Sequence, residues 1–225
     1  MSSQNIPPIN IAIVDYGLGN LFSVKQACEH VGMQATVTAS RTTLLQADAV
    51  LLPGVGAYGN AMTTLHKLDL VSVLQDIAAS GTPLIGICLG MQLLMTESHE
   101  FGYCRGLGII EGSVAYFGSP VEGSCPLKIP HVGWSRLVAT RSWANTLLDH
   151  VEDGAYMYFV HSYILHPSDP GVILAKSRYG QIEFCSSIWS KNVFACQFHP
   201  ERSGLSGLQM YRNLPAFIQH TARMS

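Results

Sequence analysis

Two groups of residues in this 225-residue chain could carry out covalent chemistry together. The first is Gly86-Ile87-Cys88-Leu89-Gly90. A glycine two residues to either side of a cysteine is the G-x-nucleophile-x-G elbow, with Cys in the place that hydrolases give to Ser. Such an elbow turns a strand sharply into a helix and holds the nucleophile in a strained backbone conformation. Side chains beside it would clash, so glycines flank it. The turn leaves the thiol at the C-terminal edge of a sheet, and the helix N-terminus that follows favours thiolate over thiol. The plain alternative is a buried structural cysteine that lies between glycines.

The second group is His199-Pro200-Glu201, at the end of the apolar run Val193-Phe194-Ala195-Cys196-Gln197-Phe198. A nucleophilic Cys needs a base, and the base needs an orienting partner. Pro200 biases His199 away from helix. A carboxylate two residues on can accept from the imidazole N–H and hold one tautomer. Taken alone, His199 is a strand-end histidine near solvent and Glu201 a solvated loop charge. Taken with Cys88, they make a Cys-His-Glu triad for acyl transfer, which assembles in space rather than along the chain.

The elements that must position these groups follow from the pattern of apolar residues. Ile9 to Asp15, Gln34 to Thr38, Ala49 to Leu52 and Pro83 to Ile87 predict strands. Leu21 to His30, Asn60 to Lys67 and Asp69 to Ser80 predict helices, and Met91 to Met95 continues a helix out of the elbow. This alternation argues an α/β domain with a mostly parallel central sheet and helices on both faces. Ligands bind such sheets beyond the carboxyl ends of the strands, where Asp15, Pro53 and Cys88 lie. After residue 107 the character changes. Several strands (Leu107 to Tyr116, Leu127 to Trp134, Tyr156 to His161, Val172 to Lys176, Ile182 to Trp189 and Val193 to Gln197) follow one another without long helices. They predict an antiparallel section on the same core, closed by a helix over Gly204 to His220. Residues 1–8 read as a loose N-terminal tail, and 9–225 as one domain.

Composition removes several function classes. Charged residues are 12% of the chain against 48% hydrophobic, so it can bury a substantial core. A net charge of −2 gives no electrostatic case for nucleic acid or an anionic membrane, and no apolar run approaches spanning length. The six cysteines form no CxxC pair, so neither a disulfide framework nor a zinc site is predicted, and a reducing cytosol is the simplest setting.

With these motifs in hand, Cys88 within Gly86-Ile87-Cys88-Leu89-Gly90-Met91-Gln92, together with Gln197-Phe198-His199-Pro200-Glu201, resembles the class I (triad) glutamine amidotransferases. Four further stretches resemble one branch of them, the glutaminase subunits of imidazole glycerol phosphate synthase. These are Asp15-Tyr16-Gly17-Leu18-Gly19-Asn20, Pro53-Gly54-Val55-Gly56, Pro130-His131-Val132-Gly133-Trp134 and Tyr158-Phe159-Val160-His161-Ser162-Tyr163. The resemblance implies a single class I glutamine amidotransferase domain in which Cys88 attacks the side-chain amide carbon of glutamine. His199 then serves as base and acid, and Glu201 orients it. It implies an oxyanion held by the backbone N–H groups of Val55 and Leu89, each worth ~3 kcal/mol of barrier in comparable sites. Gly56, Gln92, His161, Ser162 and Tyr163 would bind the amino-acid end of glutamine. The implied partner is the (β/α)8 cyclase HisF, in a heterodimer. It would take the ammonia and make imidazole glycerol phosphate and aminoimidazole carboxamide ribotide. No metal or organic cofactor is implied.

Two positions depart from the branch. Ser135 stands where Asn is usual and Arg202 where Lys is usual. With Asn20 and Trp134, they are the residues that the resemblance would place against the cyclase. Three alternatives follow: the same chemistry feeding a different synthase, such as one amidating a surface sugar; a docking subunit without catalysis; and a cysteine peptidase.

Overall fold

The computed structural model describes residues 9–223; the expected tail over residues 1–8 lies outside the described residues. Its first half alternates strand and helix: β1 (Asn10–Val14), α1 (Leu21–His30), β2 (Gln34–Thr38), α2 (Arg41–Leu45), β3 (Ala49–Gly54), α3 (Tyr58–Lys67), α4 (Leu70–Ser80), β4 (Leu84–Cys88) and α5 (Leu89–Leu93). All twelve strands that follow precede the last helix without another α-helix between them; the first eleven are β5 (Met95–Ser98), β6 (Cys104–Arg105), β7 (Ile110–Tyr116), β8 (Val121–Glu122), β9 (Cys125–Pro126), β10 (His131–Arg136), β11 (Val138–Ala139), β12 (Tyr156–His161), β13 (Tyr163–Pro167), β14 (Ile173–Tyr179) and β15 (Ile182–Ser190). The twelfth, β16 (Val193–Cys196), leads through a 3-10 turn to α6 (Gly204–Ala222).

Eight strands form the central sheet in the order β11-β14-β15-β16-β4-β3-β1-β2. The run from β16 to β2 is parallel, and β15, β14 and β11 extend it antiparallel. Of the parallel strands, β1, β3, β4 and β16 are buried on both faces, which is why they read as continuous apolar runs. On β1, Ile11 and Ile13 join one core cluster, with Val24 of α1 and Met210 and Phe217 of α6. Ala12 and Val14 join the other, with Leu44, Met62, Leu65 and Leu74 of α2, α3 and α4. Helices therefore cover both faces, as the alternation predicts. A second sheet, β13-β7-β5-β6, and the ribbon β10-β12 complete the antiparallel section.

Two expectations are revised. The helix leaving the elbow spans only Leu89–Leu93, and the chain re-enters strand at Met95. So short a helix has little macrodipole, and only its first free N–H groups can act on the thiol. The strand of the His131 region begins at His131 rather than at Leu127.

Candidate active site

Three adjacent parallel strands end side by side, and the site is built on their ends. β3 and β4 pair up to Gly54 opposite Cys88, and β16 pairs with β4 up to Cys196 opposite Ile87. Past those ends lie the loop Gly54 to Gly56, the cysteine, and the stretch from Gln197 to Glu201.

Cys88 has φ 55° and ψ −110°, a left-handed conformation that L-residues rarely adopt. The glycines explain how it fits. A Cβ on Gly90 would stand 1.7 Å from the Leu52 carbonyl oxygen, and one on Gly86 would stand 2.9 Å from the Met91 nitrogen. The thiol is buried and donates to the Val160 carbonyl at 3.8 Å.

His199 also is buried. Its Nδ1 lies 2.8 Å from Glu201 Oε1, and the Glu201 side chain is 1% exposed. The 3-10 turn Pro200–Arg202 folds the carboxylate back under the imidazole, which is how a spacing of two residues brings the pair together. The Ser203 hydroxyl, donating to the His199 carbonyl at 2.6 Å, fastens this turn. The other ring nitrogen, Nε2, is buried without a nitrogen or oxygen partner among the described residues. Burial pulls the ring down, but the Cys88 sulfur and the Glu201 carboxylate outweigh it and push its pKa up to about 10. An imidazole with its orienting nitrogen on a buried carboxylate and its other nitrogen under the influence of a thiol is a proton acceptor for that thiol.

Cys88 opens into a pocket of about 570 Å³. Val55, Gly56, Leu89, Gln92, His161, Ser162 and Tyr163 line it with Cys88. All seven residues that sequence reasoning assigned to oxyanion or substrate are thus brought to one cavity. His161 differs from expectation in one respect. Its Nδ1 lies 2.9 Å from the Tyr163 carbonyl and its Nε2 3.1 Å from His131 Nδ1, so neither ring nitrogen remains for a ligand. Burial drives its pKa down to about 3 and that of His131 to about 4, so both rings are neutral.

The four residues expected at a partner surface divide. Trp134 is 52% exposed and Arg202 and Asn20 are exposed. The Arg202 guanidinium lies 4.8 Å from the ring centre of Tyr158, against which Trp134 packs edge-on at 5.9 Å. Ser135, by contrast, is buried, with its hydroxyl turned to His131. Strand alternation is the reason: on β10, Val132, Trp134 and Arg136 point out while His131 and Ser135 point in.

Sequence reasoning missed Glu100, whose side chain accepts from the Tyr58 N–H and lines the pocket, and Gln197, which donates to the Cys88 sulfur at 3.6 Å. Nothing in the spacing of Glu100 marks it, because the turn that carries it to the cavity is set by the β5-to-β6 connection. Gln197 stood in the quoted motif, two residues before the base, and that position was its only signal.

The sequence profile of the family "Glutamine amidotransferase class-I" matches residues 12–214. The chain is 46% identical over 204 residues to the imidazole glycerol phosphate synthase subunit HisH of Geobacter sulfurreducens, covering 90% of this chain and 96% of that one. It is 44% identical over 209 residues to the subunit of the same name from Thermosynechococcus vestitus, covering 93% and 97%. Among solved structures it is similar to PurLQS from Thermotoga maritima, with a TM-score of 0.69 at 15% identity over 95% of this chain and 99% of that one. It is also similar to a crystal structure titled as a glutamine amidotransferase, with a TM-score of 0.67 at 17% identity over 94% and 98%. At such identities these two likenesses show the fold.

Proposed function

This chain belongs to the class I glutamine amidotransferase family, and from that premise we propose that it acts as the glutaminase subunit of imidazole glycerol phosphate synthase, in histidine biosynthesis. The observation that carries the reading is one pocket lined by Cys88, Gln92 and Tyr163, with a buried His199–Glu201 pair behind the sulfur.

In this reading, the Cys88 sulfur attacks the side-chain amide carbon of glutamine. His199 takes the thiol proton and passes it to the departing nitrogen, which leaves as ammonia. A thioester joins Cys88 to the glutamyl group. Water, deprotonated by His199, then opens the thioester and releases glutamate. The sum is glutamine plus water to glutamate plus ammonia. Val55 and Leu89 supply backbone N–H groups to the oxyanion of both stages. Glu100 offers a carboxylate for the α-ammonium group, and the Gln92 side-chain oxygen an acceptor.

Free ammonia at neutral pH is mostly ammonium, which is no nucleophile, so a partner must take it as it forms. A HisF cyclase is that partner, and the ring-closing lyase step belongs to it. Asn20, Trp134 and Arg202 form part of the docking face, and Ser135 supports the face from beneath. A cytoplasmic setting accords with the six free thiols. No described helix is long and apolar enough to cross a membrane.

The test is glutamate release by the chain alone, with HisF, and with HisF plus the acceptor nucleotide. Release accelerated by liganded HisF is expected. Activation by an unrelated acceptor enzyme, with none from HisF, would overturn the assignment and favour the sugar-amidation alternative.

A further inference from the structure

Beyond the triad, the Cys88 sulfur is the inner end of a hydrogen-bonded chain. Gln197, fully buried, points Nε2 at the sulfur at 3.6 Å, and its Oε1 accepts from Gln92 Nε2 at 2.9 Å. Gln92 Nε2 also donates to the Tyr163 carbonyl at 3.3 Å. The same carbonyl is 2.9 Å from His161 Nδ1, His161 Nε2 is 3.1 Å from His131 Nδ1, and His131 Nε2 is 3.2 Å from the Ser135 hydroxyl. All six side chains are buried to nine-tenths or more apart from the carbonyl's own residue.

The Tyr163 carbonyl can only accept, and this fixes the protons of the groups on either side of it. On one side His161 must carry its hydrogen on Nδ1, so Nε2 of the neutral ring is an acceptor. His131 then donates from Nδ1, and its Nε2 is an acceptor 3.2 Å from the Ser135 hydroxyl, which also lies 3.3 Å from the Arg178 carbonyl. On the other side Gln92 must turn its nitrogen to the carbonyl, and the same nitrogen faces Gln197. Gln197 must answer with its oxygen, which leaves its N–H groups for the sulfur. With Gln197 flipped, an amide oxygen would face the sulfur and two NH2 groups would face each other. Hydrogen bonds to a charged acceptor are the stronger kind, so an amide donor on this sulfur favours the anion over the neutral thiol.

We infer that Gln197 is a catalytic donor that holds the Cys88 thiolate ready for attack, its orientation set through Gln92 by the Tyr163 carbonyl. The inference deepens the glutaminase reading and rests on it for its role in turnover. The thiolate itself can be read without glutamine.

The experiment is alkylation of Cys88 by iodoacetamide at pH 7, followed by peptide mass spectrometry so that the other five thiols do not contribute. Gln197→Met keeps the volume and removes the donor. Its alkylation rate is expected to fall about tenfold, with kcat for glutamine falling in parallel and KM moving less than about threefold. Gln197→Glu keeps the shape and an oxygen that accepts from Gln92 but has no N–H for the sulfur, and it lowers the rate at least as much. An unchanged alkylation rate in Gln197→Met or in Gln197→Glu overturns the inference. If Gln197→Met does not fold, Gln197→Glu decides alone. Slowed alkylation in a chain that no partner activates for glutamine would sink the glutaminase reading and keep the donor.

Discussion

Gly90 passes so close to Leu52 that a Cβ added to it would stand 1.7 Å from the Leu52 carbonyl oxygen. β3 and the elbow helix therefore pack backbone to backbone, and this contact fixes where Cys88 stands relative to the Pro53 to Gly56 loop. Gly90→Ala should force the two apart. A melting curve should show a loss of about 1–3 kcal/mol or more, typical of overpacking, and glutaminase activity should fall further than stability does. A fully active Gly90→Ala protein would mean that the elbow geometry is not needed.

Cys88→Ala should abolish glutamine hydrolysis, a drop of ~10⁴-fold or more, as removal of a triad member does elsewhere. Synthesis from ammonium salts by the complex with the cyclase should persist, because that step needs no thioester. Residual glutamine hydrolysis near the wild-type rate would show that another residue is the nucleophile.

His199 owes its raised pKa partly to Glu201, so Glu201→Gln should bring the imidazole titration down, as read by NMR of the ring. The sign for stability follows. A group held at about 10 in the folded chain and near 6.5 when unfolded gives stability that is complete below about 6.5 and is lost as pH rises through 10. Urea melts at pH 7 and pH 10 should therefore differ more for the wild type than for Glu201→Gln.

His131 and His161 behave in the opposite sense. Burial holds their pKa values at about 4 and about 3, so below pH 6.5 the unfolded chain binds protons that the folded chain refuses. Stability should fall as pH drops from about 6.5 towards 4. His131→Asn should flatten that acid limb, measured as the urea midpoint at pH 5 against pH 7.

Trp134 and Arg202 flank Tyr158 on the exposed side of the site. Aromatic and Arg side chains dominate interface energies, so Trp134→Ala should weaken binding to the cyclase by about 2 kcal/mol, or roughly 30-fold in Kd. Calorimetry would show it, and glutamine hydrolysis by the free chain should not change.

The chemistry was written locally, and so the sequence carried it. The strained turn at Cys88 demands glycine at positions 86 and 90, and the 3-10 turn at Pro200 brings His199 and Glu201 together from two residues apart. The inner parallel strands betrayed themselves because they are buried on both faces. Tertiary structure alone decided which groups complete the site. Glu100 reaches the pocket on a turn between two short strands, and Gln197 meets the sulfur only because β16 lies beside β4. It decided what β10 shows to solvent as well: one step of strand alternation exposes Trp134 and buries Ser135. It also left both nitrogens of His161 engaged, one by His131 across the β10-β12 ribbon. The physical reason is common to these cases. A hydrogen bond between residues far apart in the chain depends on strand order and register, which no local spacing of residue types records.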